Sequence, residues 1–575
     1  MKSFKYIALS SMALVMGLTS CSDFLDKLPD ERTEIDSPKK IVDLLKTSYP
    51  SASFQWISEL SSDNLIDNNC PHVPYDPDAA QKNTHYNLST YSGNRMDEEL
   101  YKFEPAVSAT YNTQDSPGNV WNSYYSSVAS VNHALEAIDR IGGTDNAALS
   151  NELKAAKGEA LLIRAYDHFI LLNVYSQAYK DEQTSKNDVG VPYVTEVENV
   201  VNKHYERGNV ADTYAKIKKD LEEGLSLISD VNYEKPKWHF NVNAAHAFAA
   251  RVYLYTHEWD KVIEHADAVL GTDINNVGRM LMDYSGFGDC STSSDFANVW
   301  QDPAANNNLM LISTYSLLSR RASGYRFSTN SLPLRDIYYH VGPTWSGWKA
   351  NPTGIVGGFS FYRGDSEYGY FPAKIIEQFQ YTNKVSGIGY VHGIMRAFTG
   401  SLLILERAEA KIMKADYTGA MEDIIAYDKS RQTFSPADKQ QFRMTEPTAD
   451  ILMKWYSKSS NPNCFANWDF TQIVSAGYVI PAEAVPYMNA INDMRRFETW
   501  MEGLRFFDLK RWGIEYTHEL GLNSTKYVMK PNDMRMAIEL PWEALSAGIE
   551  SSRPQSTYEN DVKDGTDLEK FKVKE

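Results

Sequence analysis

The sequence predicts a mainly α-helical protein in which helical hairpins stack into a solenoid and long irregular loops extend from it. Apolar residues recur at three- and four-residue steps in several stretches, which is the period of one helix face. Two stretches, residues 249–270 and 405–425, are similar to each other. Residues 271–400, by contrast, are rich in glycine, asparagine and aromatic residues and carry few helix signals. A repeat architecture can extend over all 575 residues as one unit.

The helices follow one another from the N-terminal part of the chain. The first is predicted at residues 37–45, where Ser37 is suited to the N-cap and Pro38 to the first helical position. Residues 63–117 are rich in Asn, Asp, Ser, Pro and Tyr and predict a long loop region. Apolar residues then share one face in three further stretches, residues 121–138, 153–170 and 211–228. Charged residues on the outer side of the last stretch predict a solvated face.

The two similar stretches predict a repeated unit. They read AARVYLYTHEWDKVIEHADAVL and LERAEAKIMKADYTGAMEDII. Each has a helix of small residues, a short polar turn with an aromatic residue (Trp259 or Tyr417) and a second helix with alanine at its contact face. This pattern resembles the tetratricopeptide helix-turn-helix unit, in which alanines let paired helices approach closely. Ordinary amphipathic hairpins also use alanine at close contacts, and they are the alternative.

The N-terminus predicts export and lipid attachment. Lys2 and Lys5 precede an apolar run over residues 6–18, and Leu-Thr-Ser-Cys follows, ending at Cys21. The run is shorter than the roughly 20 residues needed to span a bilayer, which is typical of a cleaved signal. Leu-Thr-Ser-Cys resembles a bacterial lipobox, in which the cysteine is diacylated; an ordinary secretory signal is the alternative. We expect a lipoprotein signal peptide at residues 1–20 and a lipidated N-terminus with a tether at residues 21–36.

Composition and charge limit the classes of function. Hydrophobic residues make up 43% and charged residues 23% of the chain, and no later segment has 18 uninterrupted apolar residues. The net charge of -18 argues against a nucleic-acid partner, because a polyphosphate is bound by a basic face. If Cys21 is acylated, Cys70, Cys290 and Cys464 allow at most one disulfide.

Common enzyme and metal motifs do not occur in the sequence. There is no H-E-x-x-H zinc motif, no G-x-x-x-x-G-K-[ST] phosphate loop and no G-x-S-x-G nucleophile turn. Asp63, Asp67, Asp76 and Asp78 could offer oxygen ligands to calcium, but their spacing does not match an EF-hand loop. We expect no catalytic residue, no cofactor and no metal; a structural calcium ion is unsupported. Paired carboxylates of a glycoside hydrolase need no fixed sequence spacing, so that class stays open.

A charged and aromatic stretch near the C-terminus predicts a helix. Residues 495–513 read RRFETWMEGLRFFDLKRWG. Opposite charges recur three residues apart from Glu502 through Arg505 and Asp508 to Arg511, which predicts ion pairs of a few tenths of a kcal/mol each. Gly513 is suited to the C-cap. The buried side is predicted to consist of Phe497, Trp500, Leu504 and Phe507.

This stretch resembles the C-terminal signature of the SusD/RagB family of Bacteroidetes outer-membrane nutrient-binding lipoproteins. Further segments carry the same resemblance. They are CSDFLDKLP at 21–29, the helical stretch at 121–138, GEALLIRA at 158–165, GVPY at 190–193, the two tetratricopeptide-like units and IELP at 538–541. The resemblance implies one SusD-like domain over residues 37–575. Within it we expect a helical repeat frame at about 37–270 and 400–430, loop-rich ligand-binding excursions at about 63–117 and 271–400, and a signature region at about 470–575.

The resemblance also implies a function. It indicates a non-catalytic glycan-binding lipoprotein, anchored by the lipid on Cys21 in the outer membrane and facing the cell exterior. Its partners would be an oligosaccharide and a SusC-like TonB-dependent transporter. Aromatic rings can stack on the apolar faces of sugars while polar side chains bind the hydroxyl groups. The ligand contacts expected on this basis are Tyr75, Tyr91, Arg95, Trp300, Trp345, Trp348 and Tyr362.

Three other functions remain as alternatives. RagB-type members of the same architecture bind peptides. A lipid-anchored glycoside hydrolase and a scaffold that holds a protein partner through its helices are the other two. For each aromatic residue of the expected site, a buried loop anchor is the alternative role.

Overall fold

The computed structural model describes residues 35–70, 94–200, 203–284, 287, 290, 292–322, 326–329, 337, 344, 360–361, 371–431, 445–457, 478–521, 523 and 525–553. The helices of this part of the chain are α1 (Pro38–Leu45), α2 (Gln55–Leu60), α3 (Arg95–Tyr101), α4 (Pro117–Gly142), α5 (Asn151–Tyr175), α6 (Val210–Leu227), α7 (Val242–Tyr255), α8 (Trp259–Leu270), α9 (Ser293–Trp300), α10 (Leu318–Ala322), α11 (Gly400–Met413), α12 (Tyr417–Ser430), α13 (Ala449–Tyr456), α14 (Val485–Glu498), α15 (Leu504–Trp512) and α16 (Trp542–Ser546). None of them is long and apolar enough to cross a membrane.

Helices α1, α4, α5 and α6 confirm the stretches predicted from apolar periodicity. Helix α1 begins at Pro38, and Ser37 occupies the N-cap with extended backbone, as predicted. Polar caps also define the starts of the longer helices. The side chains of Ser116, Ser150 and Asn209 each accept a hydrogen bond from a backbone N–H of the first turn. Capping and periodicity are both local properties, which is why these helices are readable from sequence.

Helices α5 and α6 touch through glycine. A Cβ atom on Gly158 would lie 2.7 Å from the backbone nitrogen of Ile228 and 3.0 Å from the carbonyl oxygen of Gly224. A Cβ atom on Gly224 would lie 2.9 Å from Cγ of Leu162. The two backbones are therefore closer than any side chain larger than hydrogen would permit.

The predicted repeat is present as two helical hairpins, α7 with α8 and α11 with α12. Their turns have the same conformation, because His257 and Ala415 both adopt left-handed backbone with φ of 64° and 60°. Each of these residues lies two positions before an aromatic residue, Trp259 or Tyr417, that begins the second helix and packs against the core. Helix α8 packs on α11, so the two hairpins stack. The stacked hairpins confirm a mainly α-helical, tetratricopeptide-like architecture.

A three-stranded antiparallel sheet lies in the region that the sequence predicts as irregular. Its strands are β2 (Asn308–Thr314), β6 (Gln378–Asn383) and β7 (Ile388–Thr399), in the order β2-β7-β6. The short strands β1 (Ile66–Asp67), β3 (Phe327–Ser328), β4 (Ser360–Phe361), β5 (Phe371–Pro372), β8 (Tyr516–Leu520) and β9 (Thr525–Met529) form three antiparallel pairs: β1 with β3, β4 with β5, and β8 with β9. Helices α3 and α9 also fall inside the predicted excursions. The described parts of both excursions thus contain helices and strands as well as irregular segments.

The C-terminal signature is not one helix but two. Helix α14 ends at Glu498 and α15 begins at Leu504. Between them, Met501 and Gly503 adopt left-handed backbone with φ of 59° and 77°. A Cβ atom on Gly503 would lie 2.8 Å from Cα of Gln55, so glycine is needed there on steric grounds as well. Gly513 ends α15 in the left-handed conformation, as predicted.

The break between α14 and α15 redirects the predicted ion pairs. Of the three predicted pairs only Asp508 with Arg511 forms, at 2.8 Å. Arg505 pairs instead with Asp63, and Glu502 with Arg396, each at 2.7 Å. The signature side chains in these pairs are all buried, whereas a contribution of a few tenths of a kcal/mol is typical of exposed pairs on one helix.

Candidate functional site

An aromatic surface lies on the hairpin formed by β6 and β7. In the register of this pair, Gln378 is opposite His392, Phe379 opposite Val391, Gln380 opposite Tyr390 and Tyr381 opposite Gly389. Side chains alternate between the two faces of a strand. One face therefore carries glutamine, tyrosine and histidine, and the other carries Phe379 and Tyr381.

We call the first of these surfaces the tyrosine face; it consists of Tyr315, Gln378, Gln380, Tyr390 and His392. Tyr315 follows β2 directly, and its ring centroid is 4.8 Å from that of Tyr390 in an edge-to-face contact. The Tyr390 hydroxyl donates a hydrogen bond of 2.9 Å to Oε1 of Gln380. The hydrogen bond with Tyr315 raises the pKa of Tyr390 above its ordinary value. Tyr315 is 44% exposed, so its ring is accessible to a ligand.

His392 lies at the inner edge of the tyrosine face. It is 9% exposed, and its Nδ1 atom is buried without a hydrogen-bond partner among the described residues. Burial lowers the pKa of this imidazole, which is therefore neutral at physiological pH. A neutral imidazole has one donor and one acceptor nitrogen. An unsatisfied buried polar atom costs free energy unless something binds it, so a hydroxyl group that reached Nδ1 would be favoured there.

The opposite face of the hairpin is also aromatic. Phe379 and Tyr381 are 47% and 52% exposed, and their ring centroids are 4.9 Å apart. Gly389 lies opposite Tyr381, and a Cβ atom on it would come within 2.7 Å of the Phe379 ring. The glycine gives the Phe379 ring room to lie against the β7 backbone. Beyond them, Val385 and Ile388 at the hairpin end are exposed as well.

The body of the protein holds the base of the hairpin in place. Gln378 donates a hydrogen bond of 2.7 Å to Gln301, which in turn donates to the carbonyl oxygen of Lys374 at 2.8 Å. The backbone N–H of Tyr315 donates to the carbonyl oxygen of Ser51 at 2.7 Å. Because these bonds join β6 and the end of β2 to separate parts of the chain, the tyrosine face is a preformed surface and not an isolated loop.

The side chains of the tyrosine face are of types that bind polar ligands with apolar faces. Tyrosine rings present apolar faces with polar tips, and glutamine and histidine side chains supply both donors and acceptors. Among the described residues, no three His, Cys, Asp or Glu side chains come together in a way that could hold a metal ion. Asp63 and Asp67, two of the four aspartates considered for calcium, instead pair with arginine: Asp63 with Arg505 at 2.7 Å and Asp67 with Arg326 at 3.3 Å. Asp76 and Asp78 lie outside the described residues.

Two of the residues expected to contact ligand are described by the structure. Arg95 begins α3, its side chain is 84% exposed, and it pairs with Glu99 at 2.8 Å. Trp300 ends α9 and is only 2% exposed, with the Arg396 guanidinium 4.9 Å from its ring centroid. A ring so enclosed cannot stack on a sugar in this structure, so a core role explains Trp300 better. The other expected contacts lie outside the described residues; they are Tyr75, Tyr91, Trp345, Trp348 and Tyr362. The predicted lipid site, Cys21, also lies outside them.

The tyrosine face was missed by reasoning from the sequence. A signal was nevertheless present: QFQYTN alternates polar and aromatic residues, a turn-rich segment follows, and GYVHG alternates again. Alternation with a turn between is the pattern of a β-hairpin. The surrounding glycine and asparagine residues led to the interpretation of this region as irregular.

Comparison by sequence finds one family. A SusD-like family model, described as starch-binding associating with outer membrane, matches residues 23–254. No curated protein has a sequence that matches this chain.

Comparison by structure finds similar folds at low sequence identity. A SusD superfamily protein from Bacteroides thetaiotaomicron has 18% identity and a TM-score of 0.54, and the match covers 91% of this chain and 100% of that one. A putative sugar binding protein from Bacteroides vulgatus has 17% identity and a TM-score of 0.57, covering 90% and 99%. A laminarin binding SusD-like protein has 14% identity and a TM-score of 0.50, covering 90% and 98%. These similarities extend the likeness of fold beyond residue 254 to most of the chain.

Proposed function

We propose that the chain is a SusD-like protein that captures an oligosaccharide at the cell surface and passes it to a SusC-like TonB-dependent transporter. In this proposal the protein binds glycan and does not catalyse a reaction on it. The family model, which is described as starch-binding, supports a glycan as the ligand. Similar folds among proteins described as sugar binding and laminarin binding support it too.

The tyrosine face is the observation that carries the proposal. Its rings can cover the apolar C–H face of a sugar, and the exposed Gln380 amide can bind hydroxyl groups at the ring edge. Behind them, Nδ1 of His392 is buried and has no hydrogen-bond partner among the described residues. A neutral surface of aromatic and amide groups suits an uncharged saccharide better than an ionic ligand, since no charged residue belongs to it.

The position of this face is compatible with an anchored protein. The Arg140 side chain, near the C-terminal end of α4, donates to the carbonyl oxygen of Ile35, the first described residue. Ser123, near the N-terminal end of the same helix, accepts a hydrogen bond from Ser51, whose carbonyl oxygen binds Tyr315. The 17 residues between Ser123 and Arg140 span roughly 25 Å of helix. A tether that began at an acylated Cys21 would therefore join the protein about this far from the tyrosine face.

Binding to a panel of soluble glucans, laminarin among them, tests the proposed ligand. We expect Tyr315→Ala and Tyr390→Ala each to weaken the binding of the preferred glycan by up to about tenfold, because an aromatic contact contributes about 0.5–1.5 kcal/mol. Isothermal titration calorimetry measures the affinity. Trp542→Ala is the matched control, because Trp542 is 50% exposed and does not belong to the tyrosine face. Unchanged affinity in both tyrosine variants would remove the tyrosine face as the glycan site.

Lipid attachment is tested separately at the N-terminus. We expect Cys21→Ala to give a folded protein that no longer fractionates with the outer membrane, because the thiol that carries the lipid is gone. Membrane fractionation and a circular dichroism spectrum of the released protein measure the two properties. Retention of the variant in the membrane fraction would contradict acylation at Cys21.

The proposed transporter partner and the proposed lack of catalysis are both tested on the complex extracted from membranes. Gentle detergent extraction should co-purify a large β-barrel transporter, and prolonged incubation with a bound glycan should release no shorter product. Repeated absence of the transporter argues against the uptake complex, and released sugar that one carboxylate substitution abolishes argues for a glycoside hydrolase.

A further inference from the structure

A polar cavity of about 300 Å³ lies at the other end of β2 from the tyrosine face. It is lined by Lys237, Asn241, Asn243, Val269, Arg279, Met280, Asn306 and Leu309. The strand distance from Leu309 to Tyr315 is roughly 20 Å, so the two sites are separate. The volume corresponds to about ten water molecules, which is enough for one sugar ring or another molecule of that size.

Positive charge dominates the cavity. Lys237 and Arg279 are its charged residues, and neither forms an ion pair with any described residue. Two carboxylates lie nearby but leave the cations unpaired. Asp302 interacts with Lys237 only at longer range, and Asp230 accepts a hydrogen bond of 3.0 Å from the backbone N–H of Val242.

The lining groups have capacity left for a ligand. The Lys237 ammonium donates one hydrogen bond of 2.6 Å to the carbonyl oxygen of Ala305, which positions it and leaves its other protons available. The Arg279 side chain is exposed and has no hydrogen bond to the described residues. Asn241 is fully engaged, since its amide donates to the Leu309 carbonyl oxygen at 2.9 Å and its oxygen caps α7. Asn241 therefore shapes the cavity, while Lys237 and Arg279 face it with unused donors.

We propose that this cavity binds the anionic oxygen group, carboxylate or sulfate, of an acidic monosaccharide-sized ligand. Lysine and arginine side chains only donate hydrogen bonds, and the oxygens of a carboxylate or sulfate only accept them. Such an anion can therefore accept hydrogen bonds from both cations of the cavity. A neutral sugar would leave both cations uncompensated. Asn243 and Asn306 at the rim supply amides for ring hydroxyl groups, and Val269 and Met280 supply apolar contact. The inference does not rest on glycan binding at the tyrosine face, because the two sites share no residue.

Calorimetric titration of the full-length chain with single-ring probes tests this proposal. The probes are glucuronate, glucose 6-sulfate, glucose and acetate. We expect the two acidic sugars to bind at least about tenfold more tightly than glucose, because each charge-assisted hydrogen bond contributes about 1.5–3 kcal/mol. Added salt should weaken the binding of the acidic sugars. Preference for glucuronate over the sulfate, or the reverse, identifies the acid group.

Two variants and a matched control locate the binding. We expect Arg279→Gln and Lys237→Gln each to weaken the binding of the acidic sugars by about tenfold or more. Lys219→Gln, which removes one exposed positive charge elsewhere on the surface, should change nothing. Equal affinity for glucose and the acidic sugars, or unchanged affinity in Arg279→Gln, would overturn the proposal. Acetate that binds as tightly as glucuronate would overturn the part that assigns a ring to the cavity. Loss of glucan binding in the tyrosine variants bears on the other site alone.

Discussion

Glu59 shows how a single buried carboxyl group ties distant segments together. It is fully buried on α2, and its two oxygens accept hydrogen bonds from the backbone N–H of Gly503 at 2.9 Å and the Asn64 amide at 3.0 Å. Burial raises the pKa of Glu59 to about 7, because the charged form loses its hydration. The contact with Gly503 lies at the break between α14 and α15.

The sign of the pH dependence follows from this raised pKa. The ordinary value is 4.5, so between about pH 4.5 and 7 the native state keeps a proton that the unfolded state has released. The contribution of Glu59 to stability is therefore complete below pH 4.5 and declines as the pH rises through 7. We expect Glu59→Gln, which resembles the protonated form, to gain on the order of 3 kcal/mol relative to the wild type between pH 4.5 and 8.

Urea unfolding at a series of pH values measures this difference. Glu136→Gln on the exposed side of α4 is the control for the removal of one carboxylate. A Glu59→Gln difference that does not vary with pH would show that Glu59 titrates normally in the folded protein.

At the scale of the elements, contacts between paired helices determine the geometry of the helical repeat frame. The α5–α6 contact depends on backbone proximity at Gly158 and Gly224. The turns of the two repeated hairpins depend on a left-handed residue before the aromatic one. Both are properties of how two helices meet and not of either helix alone.

Substitution at Gly158 tests the close approach of α5 and α6. Alanine is a better helix former than glycine by about 1 kcal/mol, but its Cβ would meet the Ile228 backbone at 2.7 Å. Backbone atoms cannot rotate away, so the helices must separate, and overpacking of this kind costs about 1–3 kcal/mol or more. We therefore expect Gly158→Ala to lower the free energy of unfolding by about 2 kcal/mol in net effect.

Gly278→Ala is the matched control for this substitution, since a Cβ atom there would have nothing within 4 Å and the residue does not require left-handed backbone. It should change the free energy of unfolding by less than about 0.5 kcal/mol. Denaturant titration of both variants gives the comparison. A Gly158→Ala protein as stable as the control would mean that α5 and α6 can separate at little cost.

At the scale of the whole molecule, the C-terminal signature acts as a hub of buried ion pairs. Asp508 on α15 accepts two hydrogen bonds of 2.9 Å from Arg495 on α14 and one of 2.8 Å from Arg511. Arg511 also binds Glu409 on α11, at 2.7 Å, and so reaches the repeat frame. Arg505 reaches the N-terminal part at Asp63. Burial opposes the charge of Asp508, but Arg495 and Arg511 outweigh it and hold its pKa below the ordinary value.

Removing the shared acid should therefore destabilise the protein as a whole. Asp508→Asn leaves the buried Arg495 and Arg511 without their common counter-ion, and breaking a buried pair in this way costs about 3–5 kcal/mol. We expect a lower midpoint of denaturant unfolding, seen equally by circular dichroism and tryptophan fluorescence. Asp36→Asn removes an exposed partner of Lys40 and should leave the midpoint unchanged. Equal midpoints in the two variants would contradict a hub role for Asp508.

Residue type alone does not predict which aromatic side chains of the candidate site are exposed. The sequence predicts Trp300 as a ligand contact, yet this ring is buried in the core. Tyr390 belongs to the tyrosine face, although no sequence motif marks it as a ligand contact. An aromatic side chain has the same sequence signature whether it is buried or exposed, since its burial depends on partners far away in the chain.

The sequence by itself determined the helical class, the repeated hairpins, the N-cap of α1 and the family resemblance, because periodicity, capping and motif are read from neighbouring residues. Only the tertiary structure decided that the C-terminal signature bends at Met501 and Gly503, and that Arg505 therefore pairs with Asp63 instead of Asp508. It also decided that residues 378–399 form a hairpin with an aromatic surface. The physical reason is that ion pairing and burial depend on distances in space: Asp63 and Arg505 are 442 residues apart in the sequence, and whether an aromatic side chain of the hairpin is exposed depends on what packs against it.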